Sequence, residues 1–284
     1  MAGNQVKQEK EMSFLDHLEV LRWHLMRSVL AVLVLSVVAF IYKDIIFDHI
    51  IFAPKDPDFI SNRLFCKAGG WINFLLEPVG MAIDPLMLCI NQNSVELYNI
   101  NLSGQFTTHI QISLLTGIIA AFPYVFYELW RFIRPALYDK EARHSRGAIL
   151  YTTGLFALGV SFGYYLIMPL TIHFFTGYQI SSQVANEINL SSYISSFSSV
   201  VFSSGVVFEL PVLIYFFSKI GLVSSAFLKR YRKHAIIVLL TISAIITPPD
   251  VFSQILVGLP LWLLYEASIT IAKRVERKKA LESI

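Results

Sequence analysis

The sequence predicts an all-α integral membrane protein: six transmembrane helices, with N and C termini cytoplasmic. Three observations lead there. Of the 284 residues, 55% are hydrophobic and only 15% are charged, whereas a soluble domain carries roughly 25% charged residues; mean hydropathy is +0.58. The apolar residues fall in long blocks, roughly 24–42, 107–133, 148–175, 192–218, 235–247 and 251–272, and helices of that character cross bilayers with their backbone satisfied internally. The basic residues are sorted by side. Nineteen of the 23 Lys and Arg lie where six crossings place them with the two termini, and only Lys43, Lys55, Arg63 and Lys67 lie opposite. Basic residues are retained in the cytoplasm, so the net charge of +3 reports topology and not nucleic-acid binding.

The elements follow in order. The polar start, MAGNQVKQEKEM, has no secretory apolar core, so the first helix is expected to be an uncleaved anchor. Ser13 and Asp16 approximate a capping box. Phe14, Leu15, Leu18, Leu21 and Leu25 recur at helical spacing. This predicts an amphipathic helix over 13–23 that lies along the cytoplasmic surface and runs into helix 1.

The long outer loop, about 49–106, contains WINFLLEPVGMAIDPLMLCI. Glu77, Pro78, Asp84 and Pro85 interrupt that stretch, and an added span would invert every later loop against the basic-residue pattern. An interfacial cap is the expected form. Cys66 and Cys89 both fall in this loop. An oxidising exterior lets them pair, closing a loop worth about 3 kcal/mol by chain entropy; two free thiols are the alternative, and the residues leave both open.

Helix 5 offers a 12-residue, mainly apolar stretch, AIIVLLTISAII, between His234 and the turn TPPD. At ~1.5 Å per residue it reaches roughly 18 Å, against a hydrocarbon core of about 30 Å. Helix 6 is longer, but Gly258 and Pro260 are expected to break it, giving a short hairpin that thins the bilayer locally or leans on tilted neighbours. Residues 1–272 then form one membrane domain, and 273–284 a basic cytoplasmic tail.

Little of this supports an enzyme. GVSFG, 159–163, spells the G-x-S-x-G nucleophile pattern but lies inside an apolar helix without the strand–turn–helix context that chemistry needs. Gly159 and Gly163 instead suit close helix approach. The seven histidines show no paired ligand spacing, so no metal is expected. No nucleotide fingerprint points to a cofactor.

The run VVFELPVLIYFF, 206–217, holds one carboxylate, Glu209. It lies ten residues from Lys219, so about 15 Å deep. A charge at that depth costs a few kcal/mol and should face other helices or a wet cavity, or be protonated. Pro211 removes a backbone donor and bends the same helix, opening a polar notch. The alternative is a neutral acid bonded to a neighbouring Ser or carbonyl, serving structure alone. Glu266 in helix 6 is shallower.

The segment 128–147, ELWRFIRPALYDKEARHSRG, mixes charges and aromatics. Arg134-Pro135 ends helix 2. Asp139 and Glu141, with Asp16 and Glu19 of the surface helix, can form an acidic site for a basic peptide.

FLDHLEVLR, FPYVFYELWRFIRPALYDKE, FELP, and TPPDVFSQ followed by LVGLP together resemble the twin-arginine translocase TatC family. They occur in family order over about 13–272. The resemblance implies a cup-shaped bundle of six helices, with helices 5 and 6 short, in the bacterial cytoplasmic (inner) membrane. It implies a receptor that binds signal peptides carrying paired arginines. With single-span TatA/TatB-type partners, in a multi-subunit complex that includes self-association, it exports folded proteins on the proton-motive force. Glu141 corresponds to the loop acid that pairs with signal arginines, where bidentate geometry favours guanidinium over ammonium. Glu209 corresponds to the intramembrane acid, and Pro123, Phe132, Pro211, Asp250 and Gln254 fall on other motif positions.

One position departs from the pattern. The family's N-terminal acid usually stands two residues before the arginine, where this chain has Val20, and Glu19 is about 100° away around the helix. Glu19 substitutes, Asp16 contributes, or Glu141 carries recognition mostly alone. Glu128 stands where relatives can have a neutral amide and is expected to pair with Arg131 at i+3. Two other readings remain: a proton-coupled small-solute transporter with Glu209 as its carrier group, and a passive scaffold.

Overall fold

The computed structural model describes residues 14–76, 89–90, 95–133, 145–181, 183–184, 186–247 and 251–282. Helix α1 spans Phe14–Ile41. A π-turn at Ile45–Ile51 and a short 3-10 turn at Ala53–Lys55 lead to α2, Ile60–Leu76. After β1, Leu97–Tyr98, come α3, Gly104–Ile133, and α4, Ser145–Phe162. A π-turn at Gly163–Ile167 joins α4 to α5, Met168–Gly177. Then follow β2, Ile188–Asn189, α6, Leu190–Phe208, and α7, Leu210–Lys219. The chain closes with α8, Ser225–Arg230, α9, Arg232–Ile246, and α10, Val251–Glu282.

Among the described residues, five helical segments are long and apolar enough to cross a membrane: Leu18–Ile41, Gly104–Phe132, Ile149–Gly177, Leu190–Lys219 and Gln254–Leu281. They match five of the six apolar blocks. The remaining block forms α9, whose 15 residues extend about 22 Å, short of a bilayer core of about 30 Å. Side chains along α1 such as Leu25, Leu30, Leu33, Val37 and Ile41 are exposed. A soluble monomer rarely leaves so large an apolar face in water; lipid covers it without penalty.

From Phe14 the chain runs as one helix through Ile41, so the described part of the 13–23 segment is continuous with helix 1; Leu21, Leu25, Val29 and Leu33 continue the same apolar surface without a breaker. Two expectations are corrected. Gly258 and Pro260 do not break helix 6, since α10 is continuous for 32 residues. The carbonyl freed by Pro260 is tolerated where neighbouring helices and Ser or Thr side chains re-satisfy the backbone. Helix 6 is therefore not short, and much of the basic tail, 273–282, is its continuation.

Small residues set the helix spacing. A Cβ on Gly159 would stand 2.6 Å from Ser204 O and 2.7 Å from Phe208 Cβ, and one on Gly163 would stand 2.9 Å from Ser204 Oγ. The G-x-S-x-G spelling is thus a contact surface between α4 and α6, as small residues at four-residue spacing allow. Gly117 does the same for α1 and α3, where a Cβ would lie 2.7 Å from Ser36 N.

Two apolar clusters divide the interior. One gathers Ile46, Ile51, Ile112, Met168, Ile194 and Phe197. The other joins α7 to α10 through Ile214, Leu228, Leu239, Val257, Leu261 and Ile269. At the first cluster the loops are tied down: Tyr164 donates to Ile50 O at 2.8 Å, Tyr193 to Ile51 O at 2.7 Å, and β1 pairs in parallel with β2. Cys66 and Cys89 are joined by a disulfide, which fastens α2 to the chain beyond it.

Candidate functional site

The helix containing Glu209 breaks at that residue. Helix α6 ends at Phe208 and α7 starts at Leu210 with proline in its first turn. Pro211 has no N–H to donate, so the ladder is interrupted where Glu209 sits. The chain bridges the gap with tight bonds, Glu209 N to Val206 O at 3.1 Å and Leu213 N to Glu209 O at 3.0 Å. Both carboxyl oxygens are buried and have no hydrogen-bond partner among the described residues. An unpaired polar group away from water is costly. The purely structural alternative needs a serine or carbonyl partner for this acid, and the described residues supply none.

A second acid, Glu128, is more deeply placed, with only 2% of its surface exposed. Its Oε2 lies 2.5 Å from His24 Nδ1, and Tyr124 and Arg27 face the same carboxylate. The expected partner Arg131 is not used. Glu128 projects from α3 toward α1, where His24 stands and Arg131 does not. The His24 ring also packs edge-on to Phe132, with centroids 6.2 Å apart. One motif residue, Phe132, is thereby drawn against the N-terminal part of α1, which carries Glu19 and Val20, both exposed. Sequence reasoning missed this pair. The available signal was two polar residues, each inside an apolar helix, on the first two segments long and apolar enough to cross a membrane.

The remaining residues separate clearly. Pro123 lies inside α3 without breaking it. Gln254 Nε2 donates to Leu240 O at 3.3 Å, linking the start of α10 to α9. Glu266 pairs with Arg232 at 2.6 Å, so that acid joins α9 to α10. Glu141, Asp139 and Asp250 lie outside the described residues, as does the side chain of Asp16. Among the described residues no cluster of His, Cys, Asp or Glu is arranged to hold a metal ion.

The family model described as Sec-independent protein translocase protein (TatC) matches residues 16–260. A Sec-independent protein translocase protein TatC of Blattabacterium sp. subsp. Periplaneta americana is 42% identical over 275 residues, covering 96% of this chain and all of that protein. Another, from Desulforapulum autotrophicum, is 34% identical, covering 96% of this chain and 88% of its own length. A crystal structure titled as the twin arginine translocase receptor TatC superposes with a TM-score of 0.66 at 31% identity, covering 92% of this chain and 99% of the other. Apolar helices, a broken span around one acid and these likenesses agree, and the chain belongs to the TatC family of Sec-independent protein translocase proteins.

Proposed function

We propose that this protein is the core receptor of a twin-arginine translocase, binding signal peptides that carry paired arginines and exporting folded proteins. The observation that carries the reading is the likeness, over nearly the whole chain, to a structure titled as that receptor. In this reading α9 completes six crossings, both termini face the cytoplasm, and the protein sits in the bacterial inner membrane. The sorting of basic residues supports that orientation.

Recognition begins at Glu141, assisted by Glu19 and Asp16. A carboxylate accepts two parallel bonds from a guanidinium, which a lysine ammonium cannot reproduce. Phe132, whose ring meets His24 edge-on, borders the N-terminal part of α1 that carries Glu19. Glu209 then offers a polar foothold within the span, where the helix breaks before Pro211 and the carboxyl group has no hydrogen-bond partner among the described residues. Single-span TatA/TatB-type proteins assemble around the receptor, and the proton-motive force drives transport.

The test is export of a folded reporter behind a twin-arginine leader. Glu141→Gln and Glu141→Ala should impair export while the protein inserts at its normal level. Undiminished export by both variants would overturn the arginine site.

A further inference from the structure

A cavity of about 530 Å³ opens among α3, α4, α7 and α10, lined by Trp130, Tyr151, Pro211, Tyr215, Phe216 and Arg274 among others. Its volume falls within the roughly 300–1,000 Å³ of sites that enclose small ligands. The walls are mainly aromatic and apolar. Beyond Arg274, Lys219 follows Phe216 within one turn on α7, and Lys273 and Arg277 neighbour Arg274 along α10, so basic residues gather on the segments that line it.

Two polar groups at this cavity have no partner among the described residues. Trp130 is only 5% exposed, and its indole N–H has no acceptor among the described residues. A buried donor in that condition costs stability that an incoming acceptor restores. Arg274 is exposed and forms no ion pair among the described residues. Glu276, a carboxylate two positions along the same helix, is turned to α8, taking Ser225 N at 2.6 Å and Ser225 Oγ at 2.5 Å.

We infer that this cavity binds one anionic glycerophospholipid from the leaflet that meets these basic residues. An acyl chain fills the aromatic interior, the phosphate meets Arg274, and an ester carbonyl accepts from Trp130. Basic pockets between helices at a membrane surface select such headgroups by charge. The apolar core of an export signal is the rival occupant. Its own paired arginines would bring positive charge to a rim that is already basic, whereas an anionic headgroup is complementary to it.

The full chain, purified in detergent, is equilibrated with equal phosphatidylglycerol and phosphatidylethanolamine and read by native mass spectrometry. The wild type should retain one phosphatidylglycerol in preference. Arg274→Ala should lower that retention about fivefold, and Trp130→Phe, which keeps a ring and deletes the N–H, about threefold. Gly147 also lines the cavity and a Cβ there meets nothing within 4 Å, so Gly147→Phe should fill the space and abolish retention with the thermal midpoint unchanged. Glycerophosphoglycerol, which lacks acyl chains, should fail to compete, separating a lipid from a free phosphate diester. Equal retention of both lipids by the wild type overturns the inference. So does retention unaltered by Arg274→Ala and Gly147→Phe, or a photoreactive group at Tyr215 that captures signal peptide instead of lipid.

Discussion

His24 Nδ1 stands 2.5 Å from Glu128 Oε2, and the two side chains are 12% and 3% exposed. The contact joins residues 104 positions apart and fixes α1 against α3 near the end that carries Glu19. Removing His24 strands a carboxylate in a nearly closed site, a change that costs on the order of 3 kcal/mol for buried pairs. His24→Ala should therefore lower the thermal midpoint of the purified protein markedly. Glu128→Gln, which leaves an acceptor for the imidazole, should lower it much less. A His24→Ala/Glu128→Leu double variant should recover stability relative to His24→Ala alone. Additive losses in the double variant would show that the pair is not coupled.

The α4–α6 crossing has no room for a methyl group at Gly159, where a Cβ would lie 2.6 Å from a backbone oxygen. Backbone cannot swing aside as a side-chain tip can, and overpacking costs about 1–3 kcal/mol. Gly159→Ala should destabilise by that amount. A Cβ added at Gly154, on the same helix, would meet nothing within 4 Å, so Gly154→Ala should be neutral or gain up to about 1 kcal/mol from helix propensity. Equal effects of the two substitutions on thermal unfolding would contradict the close approach.

Glu209 separates stability from function. Among the described residues its carboxyl oxygens have no hydrogen-bond partner and so contribute nothing identifiable to holding the fold, and an apolar residue of similar size avoids their desolvation. Glu209→Leu should leave the thermal midpoint unchanged or higher while export of a folded reporter falls by at least about tenfold, the cost of roughly 1.4 kcal/mol in transport. Wild-type export by Glu209→Leu would reduce the residue to scaffold.

Much of the fold is legible because hydrophobic blocks register crossing helices directly. The break at Pro211 follows from its missing donor, and the packing role of Gly159 and Gly163 from their spacing. The short helix 5 is also readable, from the 12-residue length of its mainly apolar stretch. Three features are not. Pro260 counts as a breaker by the rule for water-exposed helices, yet α10 passes through it; within apolar surroundings a helix has no better alternative state for its backbone. The choice between thiols and a disulfide for Cys66 and Cys89 depends on whether the chain beyond α2 returns residue 89 to that helix, which spacing alone does not express. The His24–Glu128 pair is invisible to i+3 reasoning because its partner comes from another helix, and Arg131 is the nearer residue only along the chain.

The site is legible unevenly. Glu209 announces itself as a lone acid within an apolar run. Val20 and Glu19 both lie exposed on α1, so the departure at the N-terminal motif is a difference of direction around a helix and not of depth.

The most direct measurement is the affinity of the purified protein for a signal peptide bearing two arginines against its two-lysine counterpart, repeated with Glu141→Gln. Carboxylates that grip guanidinium groups in pairs should favour the arginine peptide by at least about tenfold, with the margin collapsing in the variant. Indistinguishable binding of the two peptides by the unmodified protein would contradict the account.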